Sequence, residues 1–223
     1  MRRLTKESEP RILVEKAASW TEEYWRDRAS GGGTKTRWGH AEIRDSLRSE
    51  TCEKCAYCES EVDSVAWTHV EHIRPKSKYP NLVLDWDNLT LACPRCNQNK
   101  GAYDDAAQPL LNPYVDEPDE HLQFLAGFVR VRDGSTRGEV TIRVLKLHRG
   151  AIAARRLQRI EQVELLVQAW HRAPAGLKKV LCEQVWEESQ PGNEYTAAVT
   201  QYLRLIDFPQ PNADEPVGPG GQL

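Results

Sequence analysis

The sequence predicts an α+β protein, mainly helical, with a small metal-bound module at its centre. Three observations carry this. Two cysteine pairs, Cys55-Ala-Tyr-Cys58 and Cys93-Pro-Arg-Cys96, bracket a stretch of turns and short strands with little helical period. Helical periodicity of apolar residues resumes on either side of that stretch. Five of the six cysteines fall between Cys52 and Cys96, a clustering that reads as metal binding rather than a disulfide framework.

Taken in order, residues 10–28 read as a helix with Ile12, Leu13, Ala17, Trp20 and Tyr24 near one face. The glycines of SGGGTKTR then make a loop. Residues 38–49 resume a helix anchored by Trp38, Ile43 and Leu47. From 51 to 101 the texture is that of the metal module, and QPLLNPYVDEPDEH is a proline-punctuated connector. Alternation of Val140, Ile142 and Val144 with polar neighbours predicts a half-buried strand over 139–147. Helices follow at 151–170, 175–188 and 194–207, and the composition of ADEPVGPGGQL predicts a disordered tail. The expected organisation is a helical segment 1–50, the module 51–105, a strand-and-helix region 106–210 and the tail 211–223.

Of 223 residues, 39% are hydrophobic and 28% charged, ordinary for a globular chain able to bury a core. No apolar run approaches the ~20 residues of a membrane helix, and the first residues lack a signal-peptide apolar stretch. The expected location is therefore cytoplasmic. A net charge of −3 argues against binding nucleic acid by bulk electrostatics, so any such contact must use a local basic patch or a partner.

Two C-x₂-C turns can supply four thiolates to one tetrahedral ion, and a closed four-sulfur site suits structural Zn²⁺. The set read here is Cys55, Cys58, Cys93 and Cys96. Cys52-Glu-Lys-Cys55 is also C-x₂-C, so Cys52 stays open as an alternative to Cys58. Such a clamp would pin both ends of the loop containing VEHIRPKS, residues 70–77, where Glu71 and His72 run into Arg74 and Lys76.

CAYCE (55–59), VEHIRPKS (70–77), WDNLTLAC (86–93) and CPRCNQNKG (93–101) together resemble the HNH endonucleases, whose site is a ββα-metal fold around one ion. The resemblance extends through LLNP (110–113) and LKLHR to the retron- and Septu-associated HNH proteins. These are similar to PtuB-type nucleases of bacterial anti-phage defence, which act with an ABC-type ATPase. The resemblance implies DNA as substrate and a PtuA-like ATPase as partner, with or without a retron reverse transcriptase and its RNA–DNA product. It implies His72 as general base, Asn88 as a structural brace, and Glu71 and Asn97 as ligands of a catalytic Mg²⁺ or Mn²⁺. Glu71 stands where that family often has Asp and still offers oxygen.

Blander readings compete at several positions. Asn97 would also make a good helix N-cap, and Asn88 a plain turn residue. Arg74, Lys76 and Lys100 are candidates to meet phosphates and equally ordinary surface cations. His69 alternates away from His72 and reads as a neighbour of the metal rather than the base. His40, His121, His148 and His171 have no ligand-like spacing. The five cations of residues 146–159 read as a solvated helix face or a patch for DNA or an acidic partner. The rival function is a non-catalytic zinc module that binds nucleic acid or protein, which would have no use for Glu71, His72 and Asn97 together. A zinc deaminase is a third class. Its H-x-E and P-C-x-x-C order is not met, although His69-Val-Glu71 is formally H-x-E.

Overall fold

The computed structural model describes residues 1–31, 33–62 and 69–211. The expected tail, like the middle of the glycine loop, lies outside the described residues. Helices α1 (Arg11–Ala29) and α2 (Ala41–Thr51) come first. Strand β1 (His69–His72), strand β2 (Leu89–Ala92) and helix α3 (Pro94–Lys100) form the central ββα unit. A hairpin of β3 (Leu122–Leu125) and β4 (Phe128–Val131) follows. Helices α4 (Thr136–Leu145), α5 (Gly150–Arg172), α6 (Ala175–Glu187) and α7 (Thr196–Leu205) complete the described chain. The fold is α+β and rich in helix, with two small antiparallel sheets among the described residues.

Apolar burial explains why the ββα unit sits where it does. On one side, Leu13 and Tyr24 of α1 and Ile43 and Leu47 of α2 close over Val83, Leu84, Leu89 and Leu91. On the other, the knuckle residues Cys55, Tyr57 and Cys58 share a core with Leu122 and Phe124 of the hairpin, and Ile142 and Leu145 of α4. Polar ties reinforce this second face. The Glu59 carboxylate accepts from the Thr196 hydroxyl and the Ala197 amide, both at 3.0 Å, and so caps α7 from within the module. A third core, with Val163, Val185 and Leu203, holds α5, α6 and α7 together.

Two readings of the sequence need correction. Residues 139–147 are not a strand: α4 takes up 139–145, and Lys146 is its C-cap. Its buried positions Gly138, Thr141, Ile142 and Leu145 fall on one helical face, and the Ser135 side chain caps its start by accepting from the Gly138 amide. The β-branched residues produced a false alternation. The strands lie just upstream, in the β3–β4 hairpin. Its turn needs Gly127, because a Cβ there would come within 2.1 Å of the Ala153 carbonyl oxygen.

The basic run is the second correction. Arg156 is buried and donates to the Leu147 carbonyl at 2.9 Å, its guanidinium near the Phe124 and Tyr195 rings. Arg159 pairs with Glu188, and Arg149 turns toward Cys96. Three of the five cations thus face protein, while Lys146 and Arg155 remain exposed.

Candidate active site

The four cysteines converge from two turns. The 55–60 turn closes on itself, with the Glu59 amide donating to the Cys55 carbonyl at 2.9 Å and the Cys55 amide to the Ser60 carbonyl at 3.0 Å. The Ala56 amide donates to Leu91 and ties that turn to β2. The second pair opens α3, with Cys93 at the N-cap and its sulfur accepting from the Cys96 amide at 3.4 Å. All four sulfurs lie within 4.8 Å of one another, and Cys58 Sγ and Cys93 Sγ are 3.8 Å apart. Tetrahedral zinc with bonds of about 2.3 Å needs sulfurs roughly 3.8 Å apart, so the donor set and its spread fit one Zn²⁺. Arg149 Nη2, 3.5 Å from Cys96 Sγ, supplies positive charge beside the sulfurs. Burial pushes the Cys55 thiol up, whereas hydrogen bonds from the neighbouring sulfurs hold Cys58 well down. Cys52 is outside this cluster: it is the C-cap of α2, in a left-handed conformation.

On the other side of α3 lies the candidate catalytic groove. Antiparallel pairing sets Glu71 opposite Thr90 and His72 opposite Leu89. Strand alternation puts His69 and Glu71 on the face that meets α3, where Asn97 and Lys100 stand one turn apart. Asn97 Nδ2 donates to His69 Nδ1 at 3.1 Å. Lys100 is buried, with Nζ 2.7 Å from Glu71 Oε1 and 2.7 Å from the His72 carbonyl oxygen. A lysine read as a surface cation is therefore an internal counter-ion. Burial pushes the Glu71 carboxyl up, and the Lys100 ammonium pulls in the opposite direction.

His72 ends β1, is 3% exposed, and packs edge-on against Trp38 with ring centroids 5.2 Å apart. Its Nε2 lies 3.0 Å from the Val83 carbonyl oxygen. Burial, aided by the charges of Lys76 and Lys100, lowers its pKa to about 4 against the opposing pull of that carbonyl. The ring is thus neutral near pH 7. A carbonyl can only accept, so Nε2 carries the proton and Nδ1 keeps its lone pair.

Asn88 joins the two halves of the turn after β1. Its Oδ1 accepts from the Arg74 amide at 2.7 Å, and its Nδ2 donates to the carbonyls of Arg74 at 3.1 Å and Leu82 at 3.0 Å. The Arg74 guanidinium stacks 3.7 Å from the Tyr79 ring centroid, and Lys76 Nζ lies 5.1 Å from that of Trp38.

Glu71, His72, Lys76 and Asn97 line one cavity of about 390 Å³, and α1 contributes Tyr24 and Arg28 to its wall. Arg28 also donates to the carbonyls of Lys76 and Ser77, at 3.3 and 3.0 Å. The sequence offered no signal for Tyr24, Arg28 or the Lys100–Glu71 pair. The first two come from a helix more than forty positions away. The third depends on the strand and α3 meeting at one angle.

A two-stranded sheet and short helix, clamped by four cysteines and carrying an acid, a histidine and an amide in one groove, define an HNH-type module. The family model for the HNH endonuclease matches residues 55–102. Over 215 residues the chain is 30% identical to a Septu protein PtuB of Bacillus thuringiensis, covering 90% of this chain and 80% of that protein. A Septu protein PtuB of Bacillus mycoides (strain KBAB4) is 29% identical over 197 residues, covering 74% of this chain and 66% of the relative. The chain belongs to the PtuB family and carries an HNH endonuclease domain. No described helix is long and apolar enough to cross a membrane.

Proposed function

We propose that the chain is the nuclease of a bacterial anti-phage defence system and hydrolyses phosphodiester bonds of DNA with a divalent metal. The observation that carries this is that Glu71, His72 and Asn97 line the same cavity. A structural module that only bound zinc would have no need of that convergence. In this reading Cys55, Cys58, Cys93 and Cys96 hold Zn²⁺ and keep the ββα unit folded, while the segments 1–50 and 106–210 support it.

His72 is the general base. Nδ1 takes the proton of the attacking water, and Nε2, fixed on the Val83 carbonyl, aims the ring. Asn88 holds the 72–75 turn in place by its bonds to Arg74 and Leu82. Glu71 and Asn97, whose oxygens are hard donors, would hold Mg²⁺ or Mn²⁺, with His69 beside them. When bound, that ion stabilises charge on the phosphate and on the departing oxygen. Lys100 keeps the buried Glu71 carboxylate balanced, Lys76 and Arg28 supply cations at the groove for the flanking phosphates, and Arg74 adds a third just behind it.

A net charge of −3 leaves the chain with weak attraction for DNA by itself. The relatives are named Septu proteins, and the reading includes delivery by a PtuA-like ATPase that keeps the nuclease idle until infection. Supercoiled plasmid with Mg²⁺ or Mn²⁺, incubated with the chain alone and with its genomic ATPase neighbour, tests both parts. Nicking that needs the metal and rises with the ATPase is expected. Full-rate cleavage by the lone chain would remove the partner, and no cleavage under any condition would remove the nuclease.

A further inference from the structure

The turn after His72 has a second side. Behind it lies another cavity, of about 280 Å³, walled by Tyr57, Ile73, Arg74, Tyr79, Lys100 and Tyr103. Ile73, Arg74 and Lys100 lie immediately beside the catalytic groove, because Ile73 and Arg74 follow His72 directly and Lys100 holds both Glu71 and the His72 carbonyl. A substrate phosphate in the groove would therefore bring its neighbouring nucleotide to this wall.

We propose that this cavity receives one unpaired nucleobase of the substrate, next to the scissile phosphate. The inference rests on the nuclease reading above and narrows its substrate to strands that are single or locally open. Flat partners for a base are present: the half-buried Tyr103 ring, and the Arg74 guanidinium already stacked on Tyr79. Splayed bases are bound by such aromatic and guanidinium planes. The inner wall holds an unexplained polar group. Tyr57 is 2% exposed, and its hydroxyl has no hydrogen-bond partner among the described residues. Buried polar groups are nearly always satisfied, so an orphan beside a cavity points to a partner that arrives with the ligand. The edge of a base offers both donors and acceptors to it.

Asp104 and Asp105 also line this cavity and make it unfit for a phosphate. One Asp104 oxygen accepts from the Tyr79 hydroxyl at 2.8 Å and one Asp105 oxygen from the Ala107 amide at 2.9 Å, which leaves each carboxylate further lone pairs. They suit the exocyclic amino groups of a base, which donate. A base held against these planes inside the cavity cannot remain Watson–Crick paired.

The test walks 2-aminopurine through a single-stranded DNA oligonucleotide bound to the full-length, zinc-loaded chain without added Mg²⁺ or Mn²⁺. One position is expected to change fluorescence far more than its neighbours, and the same oligonucleotide in a duplex is not. Tyr103→Ala should abolish that response, and an abasic sugar at that position should weaken binding by about 5- to 100-fold. Tyr57→Phe should weaken binding several-fold without lowering the melting temperature, since the lost hydroxyl bonds nothing in the free chain. A response that is absent or uniform along the strand, equal binding of the duplex, or a Tyr57→Phe variant that binds normally overturns the subsite. Metal-dependent cleavage that ignores abasic substitution leaves the nuclease standing without the subsite. A position-specific response with no cleavage leaves the subsite without the nuclease.

Discussion

Helix α3 serves two sites built on different principles. At its start, Cys93 and Cys96 close a corner with Cys55 and Cys58 in which three of the four cysteines are buried and Cys93 is half-buried. Beyond them, Asn97 faces a groove that must stay open to a substrate, and Lys100 is buried on the Glu71 carboxylate. The sulfur corner is assembled by two tight turns, so its geometry is written into adjacent residues. The groove is assembled by contact: a strand end, a helix face, and α1 reaching in from the other core. Redundancy also differs. The corner has four equivalent donors that act as one unit, whereas each groove residue has its own partner and its own cost of removal.

The largest effect follows from the corner. Binding of structural zinc is worth roughly 10–16 kcal/mol to small zinc modules, which exceeds the stability of most domains. Cys58→Ser or Cys96→Ser should therefore lose the ion and give insoluble or unfolded protein. Elemental analysis of the parent should find about one zinc per chain, and circular dichroism of the variants should show loss of cooperative melting. A Cys58→Ser chain that melts like the parent would mean that the four sulfurs hold nothing structural.

In the groove the loss should fall on rate. His72→Ala is expected to cost 10²–10⁴-fold in cleavage, the usual worth of positioned proton transfer. Zinc content should be unchanged. Because His72 is buried against Trp38 and bonded to Val83, the same change should also cost about 1–3 kcal/mol of stability, readable in a denaturant titration. The pH profile adds a sharper check. With the imidazole held near 4, the base is already unprotonated at pH 6, so kcat/KM should rise on the acid side and be level through neutrality. A limb near the ordinary histidine value of 6.5 that persists in His72→Ala would place the proton acceptor elsewhere.

How much of this could be read from the sequence follows the same division. C-x₂-C turns specify their own geometry, so the cluster could be read from spacing alone, and the structure sets Cys52 apart from it. The residues Glu71, His72, Asn88 and Asn97 could be named from motif resemblance, but not the state of their neighbours. Lys100 carries the same letter buried or exposed; only the approach of α3 to β1 decides which. The helices around the module were legible because their apolar period persists over three or more turns. Helix α4 was not. Ten residues with Val140, Ile142 and Val144 satisfy a period of two as well as one of 3.6, and the tertiary packing of Thr141, Ile142 and Leu145 settled it. The hairpin was missed because each of its strands has four residues, too few for a periodic signal.

Burial of Lys100 changes how the metal side of the groove should be probed. Glu71→Ala would strand a buried ammonium, which typically costs 3–5 kcal/mol, so lost activity would be confounded with lost fold. Glu71→Gln keeps the volume and an oxygen that still accepts from the Lys100 ammonium, so less of that cost falls on the fold. Its affinity for Mn²⁺, followed by electron paramagnetic resonance, should drop by at least the roughly 10–100-fold that losing an outer-shell partner costs. Excess Mn²⁺ should recover part of its cleavage and none of that of His72→Ala. Equal Mn²⁺ binding by Glu71→Gln and the parent would remove Glu71 from the ligand set.

The smallest effect belongs to the cysteine that sequence spacing could not separate from the corner. Cys52 is the C-cap of α2 with φ 51°, and its amide bonds back to the Ser49 carbonyl at 3.0 Å. Its sulfur lies outside the four-cysteine cluster. Nothing that holds this position depends on sulfur, because the cap is made by the backbone. Serine would meet the same left-handed strain as cysteine, so the strain cancels between parent and variant. Cys52→Ser should thus retain one zinc per chain, melt within the roughly 0.5 kcal/mol typical of neutral surface changes, and cleave at the parent rate. Retention of zinc in Cys52→Ser, beside its loss in Cys58→Ser, is the contrast that assigns the ligand. If the two variants behaved alike, the corner would draw on five sulfurs, and its closure would owe less to the two tight turns than to a sulfur supplied by the end of α2.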